Sequence, residues 1–260
     1  MTITRDAVHT PFTHAAIPLH CIQRDSLHQS ALEGDDAQMT FSGVLLAGTR
    51  EIREKIRRHP FVVGLRDGTL PVEKFRFYMC QDYVYLVEYC RIFGLAVAKA
   101  GDLPTMSRLA QLLHSTLHVE MALHRSYAAQ FGITERDLEG TAPAAATHAY
   151  TSHLLNVAWG GTLAEIAASL LPCQWGYWEL GCEMAEQGGA TESNPYRQWI
   201  ETYSSPEFGE LAGWLRGLVD SLAEGARPGD LGRMECAFLA SSRYELMFWE
   251  MAWRQEGWPA

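Results

Sequence analysis

The chain has 260 residues, 47% of them apolar, and a formal net charge of −10. That excess of carboxylates argues against a nucleic-acid groove or an anionic membrane surface as partner, since either needs clustered Lys and Arg to offset phosphate. No apolar stretch approaches the ~20 residues that span a bilayer, and no basic-then-apolar leader opens the chain, so a cytoplasmic protein is expected.

Residues 1–38 show neither helical nor strand periodicity and read as a flexible N-terminal extension, with the folded unit expected over 39–260. "MTFSGVLLAGTREIREKIRRHP" is the first amphipathic segment, and its Arg-rich run reads as the wet face of a helix. Pro71 opens a long helical segment, and Pro104 begins a second that continues to Gly132. A third runs from near Thr147 to Gly160-Gly161. Thr162 and Glu165 have the spacing of a capping box, so another helix starts there; it is expected to kink at Pro172, which lacks an N–H and crowds the preceding turn, and to restart there. Asn194-Pro195 and Ser205-Pro206 each pair a cap with a first-turn proline. A last helix spans from Leu231 to Arg254. No alternating strand pattern competes, and the chain reads as one all-α domain of about eight helices.

Three ionisable side chains sit where apolar residues are expected. In the segment after Pro71, Phe75, Tyr78, Asp82, Tyr85 and Tyr89 share one stripe at steps of three and four, which sets an aspartate in an aromatic face. In the last helix Phe238, Ser242, Glu245, Phe248 or Trp249, and Ala252 share a face, while Glu250 lies opposite with Arg243 and Arg254 as an ordinary i, i+4 pair. Cys173, just past Pro172, shares a face with Gly176, Tyr177 and Leu180. A helix restarting at Pro172 would lower the thiol pKa. Taken alone, Cys173 suits a small hydrophobe as well as a nucleophile, and Asp82 suits a structural bond to a tyrosine as well as a ligand contact.

The six cysteines, Cys21, Cys80, Cys90, Cys173, Cys182 and Cys236, carry no CxxC spacing, which fits reduced thiols and disfavours structural zinc. Glu120 and His124 are i, i+4 on one helix and raise the possibility of a di-iron centre. With His153 as the only other candidate and no second Glu-x-x-His pair, they read instead as a surface or capping pair. His114, His118 and His124 crowd one segment with nothing to select a haem ligand. No metal or cofactor is expected.

"HPFVVGLRDGTLPVEKFRFYMCQDYVYL", "HVEMALH", "YTSHLLNVAWGGTLAEIAASLLPCQWGYWELG", "WIETYSSPEF" and "SSRYELMFWEMAWRQEGW" together resemble the TenA, or thiaminase II, family of aminopyrimidine hydrolases. The likeness runs over residues 40 to 258 and implies a helical bundle of the haem-oxygenase-like type, without haem. It implies hydrolysis of the 5-aminomethyl form of 4-amino-2-methylpyrimidine, and of thiamin, to the 5-hydroxymethyl form in thiamin salvage. By the same resemblance Cys173 is the nucleophile that adds to the ring and Glu245 the acid and base. Asp82 would bind the amino and ring-nitrogen edge, Tyr85, Tyr150, Tyr177 and Tyr203 would line the pocket, and Phe248 would stack on the ring. The family pattern implies a homo-oligomer, a tetramer, and the Trp-rich "MFWEMAW" points the same way because it exceeds what one helix face buries. A pyrimidine-binding protein without turnover is the rival reading, and it would need the pocket but not the thiol.

Overall fold

Apolar side chains at helical spacing organise the chain into helices, and a computed structural model describes these over residues 39–259. The extension expected over residues 1–38 lies outside the described residues. Three short helices, α1 (Phe41–Gly48), α2 (Arg50–Arg57) and α3 (Pro60–Asp67), lead into the long α4 (Val72–Lys99). Then come α5 (Leu103–Ser115), a π-helical turn (Thr116–Glu120), α6 (Met121–Gln130), α7 (Glu135–Glu139) and α8 (Ala145–Gly160). The chain continues through α9 (Leu163–Glu186), α10 (Arg197–Tyr203), α11 (Pro206–Ala223) and α12 (Pro228–Arg254). Among the described residues there are thus twelve α-helices rather than about eight, because short connections divide segments that a hydrophobic period reads as one. No strand occurs among them, and no helix is long and apolar enough to cross a membrane.

Helix α9 is the centre of the packing: α10, α11 and α12 lie against it, while α4 packs on α5 and α8 and also touches α9. The helix does not restart at Pro172, and α9 runs continuously through it. An interior proline costs about 3 kcal/mol. The apolar surface that α9 buries, including Ile166, Leu170, Leu171 and Leu180, offsets that cost. The expected capping box is present, with the Thr162 N–H donating to Glu165 Oε2 at 2.6 Å. Ser205 caps α11 as expected, accepting from the Phe208 N–H at 3.2 Å. Asn194 does something else. Its Nδ2 donates to the carbonyls of Leu65, Arg66 and Gly189 and its Oδ1 accepts from the Tyr196 N–H, so it ties the loop before α10 to the end of α3.

Two further expectations change. The Arg-rich face of α2 is not simply wet, because Arg53 and Arg57 pair with Glu179 and Glu183 of α9. In "MFWEMAW", Phe248, Trp249, Met251 and Ala252 are all buried within the chain itself. Met247 of the same segment is exposed and Trp253 is half-buried, so the apolar surface it leaves for an interface is smaller than anticipated.

The contact between α9 and α10 is unusually close. A Cβ on Gly181 of α9 would stand 2.6 Å from the backbone carbon of Tyr203 and 2.8 Å from the Ser204 nitrogen. Only glycine lets α10 end directly against α9, which places Tyr203. Gly181→Ala is expected to lower stability by about 1–3 kcal/mol and to reduce activity, as read from a urea midpoint and a turnover assay on the same preparation.

Glu250 also departs from expectation. It keeps its pair with Arg254, but its Oε2 also meets Nε2 of the buried His59 at 2.8 Å. His59 caps α3 by accepting the Phe61 N–H at Nδ1, so its proton sits on Nε2 and donates to Glu250. This hydrogen bond, with Arg254 adding to it, holds the Glu250 carboxyl below its usual range. Glu250→Ala should cost roughly 1–3 kcal/mol, because a buried N–H loses its acceptor, with turnover unchanged. A carboxyl with a lowered folded pKa contributes stability above its unfolded value and loses it as pH falls through the folded one. The gap between variant and wild type in melting temperature should therefore close only below the ordinary carboxylate range.

Candidate active site

The stripe Phe75, Tyr78, Asp82, Tyr85 and Tyr89 is buried along its whole length, and so is the α12 face Phe238, Ser242, Glu245, Phe248, Trp249 and Ala252. Burial brings these two stripes, the Cys173 stretch of α9, Tyr150 of α8 and Tyr203 of α10 around one aromatic enclosure. Phe248 wedges edge-on against Tyr78 and Tyr85, with centroids 6.1 and 6.0 Å away. Tyr177 stacks on Trp249 and meets Tyr203 edge-on at 5.0 Å. Its hydroxyl accepts from that of Tyr78 at 3.4 Å.

Glu245 is held by one short bond: the Tyr150 hydroxyl donates to its Oε1 at 2.6 Å. Burial outweighs that bond and, with the nearby Asp82 charge, pushes the Glu245 carboxyl up to about 7. The Cys173 thiol goes the opposite way from expectation. Burial first, and then the Glu245 charge, raise it well above an ordinary cysteine. The reason is that α9 does not restart at Pro172, so no helix terminus faces the sulfur. The Tyr85 hydroxyl lies close enough to Cys173 to favour the thiolate, yet this buried group makes no hydrogen bond of ordinary length. A hydroxyl at this depth without an ordinary hydrogen bond has capacity for a further partner.

The pair read as a surface feature, Glu120 and His124, belongs to the enclosure. His124 is buried, with Nε2 2.6 Å from Asp82 Oδ2 and Nδ1 3.2 Å from the Glu120 carbonyl. The Glu120 carboxylate accepts from the Tyr203 hydroxyl at 3.3 Å, and burial, with Asp82 adding to it, pushes it up to about 7. The π turn ending at Glu120 adds a residue to the helical repeat, so exposed Leu117 and Val119 precede an inward Glu120. A uniform helical period does not show this. The available signal was Asp82 itself, since a carboxylate on an apolar stripe needs a partner from another helix.

Both nitrogens of His124 are committed to protein acceptors, and His153 is tied to Ser241 Oγ at 3.2 Å. Among the described residues no group of three or more His, Cys, Asp or Glu side chains is arranged to hold a metal ion. One cavity, between α2, α9 and α12, is lined by Ile52, Ile56, Trp175 and Leu180 and reaches Tyr177 and Glu245. It provides the approach to Glu245.

An all-helical bundle closed around buried carboxylates, a thiol and tyrosines is a haem-oxygenase-like architecture. A protein of that fold from Shewanella denitrificans superposes with a TM-score of 0.64 at 14% identity, over 81% of this chain and 91% of its own. The chain belongs to the TENA/THI-4/PQQC family, which it matches over residues 46–255. An aminopyrimidine aminohydrolase from Halalkalibacterium halodurans is 45% identical over 220 residues, 85% of this chain and 98% of that protein. One of the same name from Bacillus subtilis is 37% identical over 221 residues, covering 85% and 92%. The structure of a TenA homologue from P. horikoshii is 34% identical with a TM-score of 0.77, covering 83% of this chain and 99% of that one.

A carboxyl whose folded pKa is raised favours the native state below its unfolded value, and that contribution is lost as pH rises through the folded one. Glu245→Gln keeps the Tyr150 bond and removes the penalty. It should therefore raise stability at about pH 8 by on the order of 2 kcal/mol and leave it unchanged at about pH 4, as read by thermal melts at both values.

Proposed function

We propose that the chain hydrolyses the bond between a 4-amino-2-methylpyrimidine and its 5-methylene substituent, releasing ammonia from the aminomethyl compound or the thiazole from thiamin. The observation that carries this reading is the meeting of a thiol, a carboxyl poised near neutrality and a second carboxylate in one aromatic enclosure, with the Tyr85 hydroxyl beside the thiol. The names of the relatives in the family support it. Asp82 takes the amino edge of the pyrimidine, and Phe248 with the tyrosines encloses its faces.

The proton count defines the cycle. Cys173 and Glu245 together hold one proton in the working enzyme. Glu245 takes the thiol proton as sulfur adds to the ring carbon, and the addition breaks aromaticity. Glu245 then passes that proton to the departing amine as the carbon–nitrogen bond breaks; the thiazole of thiamin leaves as a neutral base, and in that case Glu245 gives the proton up to solvent. Water enters at the methylene carbon and gives a proton to Glu245. Sulfur leaves as the ring recovers its aromaticity, and the proton returns to the thiol. Ring addition converts a poor displacement into an elimination followed by hydration, which is the advantage of a covalent step. A protein that only bound the pyrimidine would need neither the thiol nor a carboxyl tuned to trade a proton.

The test is ammonia and thiazole release from the two substrates side by side, with turnover of at least one expected. Glu245→Gln should reduce the rate about 10²–10⁴-fold, the range of a general acid–base group. Cys173→Ser should fall at least as far, and the double variant by much less than the product of the two, since they act in one sequence. Wild-type activity should fall as pH drops below about 7, where Glu245 is protonated and cannot take the thiol proton. That limb should vanish in Glu245→Gln and persist in Glu120→Gln. Wild-type enzyme that binds both pyrimidines and turns over neither would overturn the reading in favour of a binding protein.

A further inference from the structure

The buried ion pair between α4 and α6 has no part in the proton cycle of Cys173 and Glu245, yet it touches the carboxylate that meets the substrate. A backbone carbonyl can only accept, so the His124 nitrogen facing the Glu120 carbonyl, Nδ1, carries a hydrogen. The other nitrogen stands 2.6 Å from Asp82 Oδ2, the length of a charge-assisted bond. With both nitrogens donating, the ring would be an imidazolium facing a carboxylate. The surroundings agree: burial opposes the charge, but the Asp82 hydrogen bond and the charges of Asp82 and Glu120 outweigh it and raise the His124 pKa.

We propose that His124 is a positioning residue for Asp82, holding Oδ2 through a charged bond anchored on the Glu120 carbonyl so that Oδ1 is presented to the amino group of an aminopyrimidine. This rests on the proposed pyrimidine hydrolysis. A carboxylate in an apolar enclosure otherwise tends to take up a proton or turn toward the nearest donor, and either would spoil an acceptor meant for an amino group. Asp82 has one soft side-chain torsion after Cβ, and the His124 bond sets it. Because the anchor is backbone at the end of the π turn, the aim of Asp82 depends on that turn. Glu120 and His124 also line a cleft with Met79, Trp199 and Tyr203 that extends to the half-buried Gln198 and Thr202. The cleft has room for little more than one water, and removing the His124 ring would widen it into a route for a small molecule.

That route supplies the test. His124→Ala should lose about 10²-fold in kcat/KM, the scale of a misplaced contact near the reacting atoms. Added imidazole should restore a substantial part, whereas pyrazole, which has the same shape but stays uncharged, should not. Equal rescue by pyrazole would mean that the ring only fills space and would overturn the proposal, as would an alanine variant with wild-type kcat/KM. Should the alanine variant not fold, His124→Gln keeps an N–H for Asp82 without the charge, and wild-type activity in that variant would overturn the proposal equally. A readout free of turnover separates this inference from the proposed reaction. The ¹⁵N shifts of His124 near neutral pH should show an imidazolium in wild type and a neutral ring protonated at Nδ1 in Asp82→Asn. A neutral ring in wild type refutes the positioning role even if hydrolysis is confirmed. Absent hydrolysis with the imidazolium present leaves the pair in place and fails the reaction instead.

Discussion

The constraint on which the rest of this structure depends is the gathering of three carboxyl groups and a thiol, the buried Asp82 and Glu245 and the half-buried Glu120 and Cys173, in one aromatic enclosure beside one buried histidine. Desolvation penalises every charge there, and a single histidine can balance only one. The groups separate accordingly. His124 is assigned to Asp82, Glu120 and Glu245 are pushed to about 7, and the Cys173 thiol is pushed well up. Two carboxyls with different environments can thus take different roles, one as a fixed acceptor and one as a proton carrier, on the same scaffold.

Each of these groups is carried by a helix rather than a loop. Asp82 and Tyr85 lie within α4, Tyr150 within α8, Cys173 and Tyr177 within α9, and Glu245 and Phe248 within α12. Helical backbone satisfies its own polar groups, so side-chain polarity can be concentrated inside without leaving amides unpaired. The tyrosines complete the arrangement. They supply apolar faces to close the space and hydroxyls to satisfy the carboxyls, as Tyr150 does for Glu245 and Tyr203 for Glu120. The penalties on Glu120 and Glu245 are tolerated because the surrounding core is large and continuous.

The charged groups outside this enclosure behave differently because water still reaches them. Arg53 and Arg57 interlace with Glu179 and Glu183 along the seam between α2 and α9, and Glu250 joins Arg254 to the capping histidine His59. These pairs fix how the short N-terminal helices lie on α9 and α12. They also explain how two glutamates five positions apart on α12 differ so much: Glu245 shares a face with Phe238 and Phe248, and Glu250 with Arg254.

Helical spacing by itself marked which residues turn inward. The stripe through Asp82 and the face through Glu245 are period effects, visible wherever a helix is regular, and the all-α class followed from the same regularity. Where regularity fails, the sequence stops being readable in this way. The π turn rotates Glu120 and His124 inward by one inserted residue, and no pattern of polarity marks an insertion of that kind. Pro172 looked like a point where the helix restarts, yet the packing of α9 against three helices outweighs its local cost. The thiol pKa, the partner of Asp82, the histidine under Glu250 and the glycine contact that seats Tyr203 are all relations between distant segments. Local sequence thus determined the helices and their inward faces, because period and capping act within a few residues. Only the tertiary structure decided which charges meet, because desolvation and pairing depend on what the other helices bring to the same space.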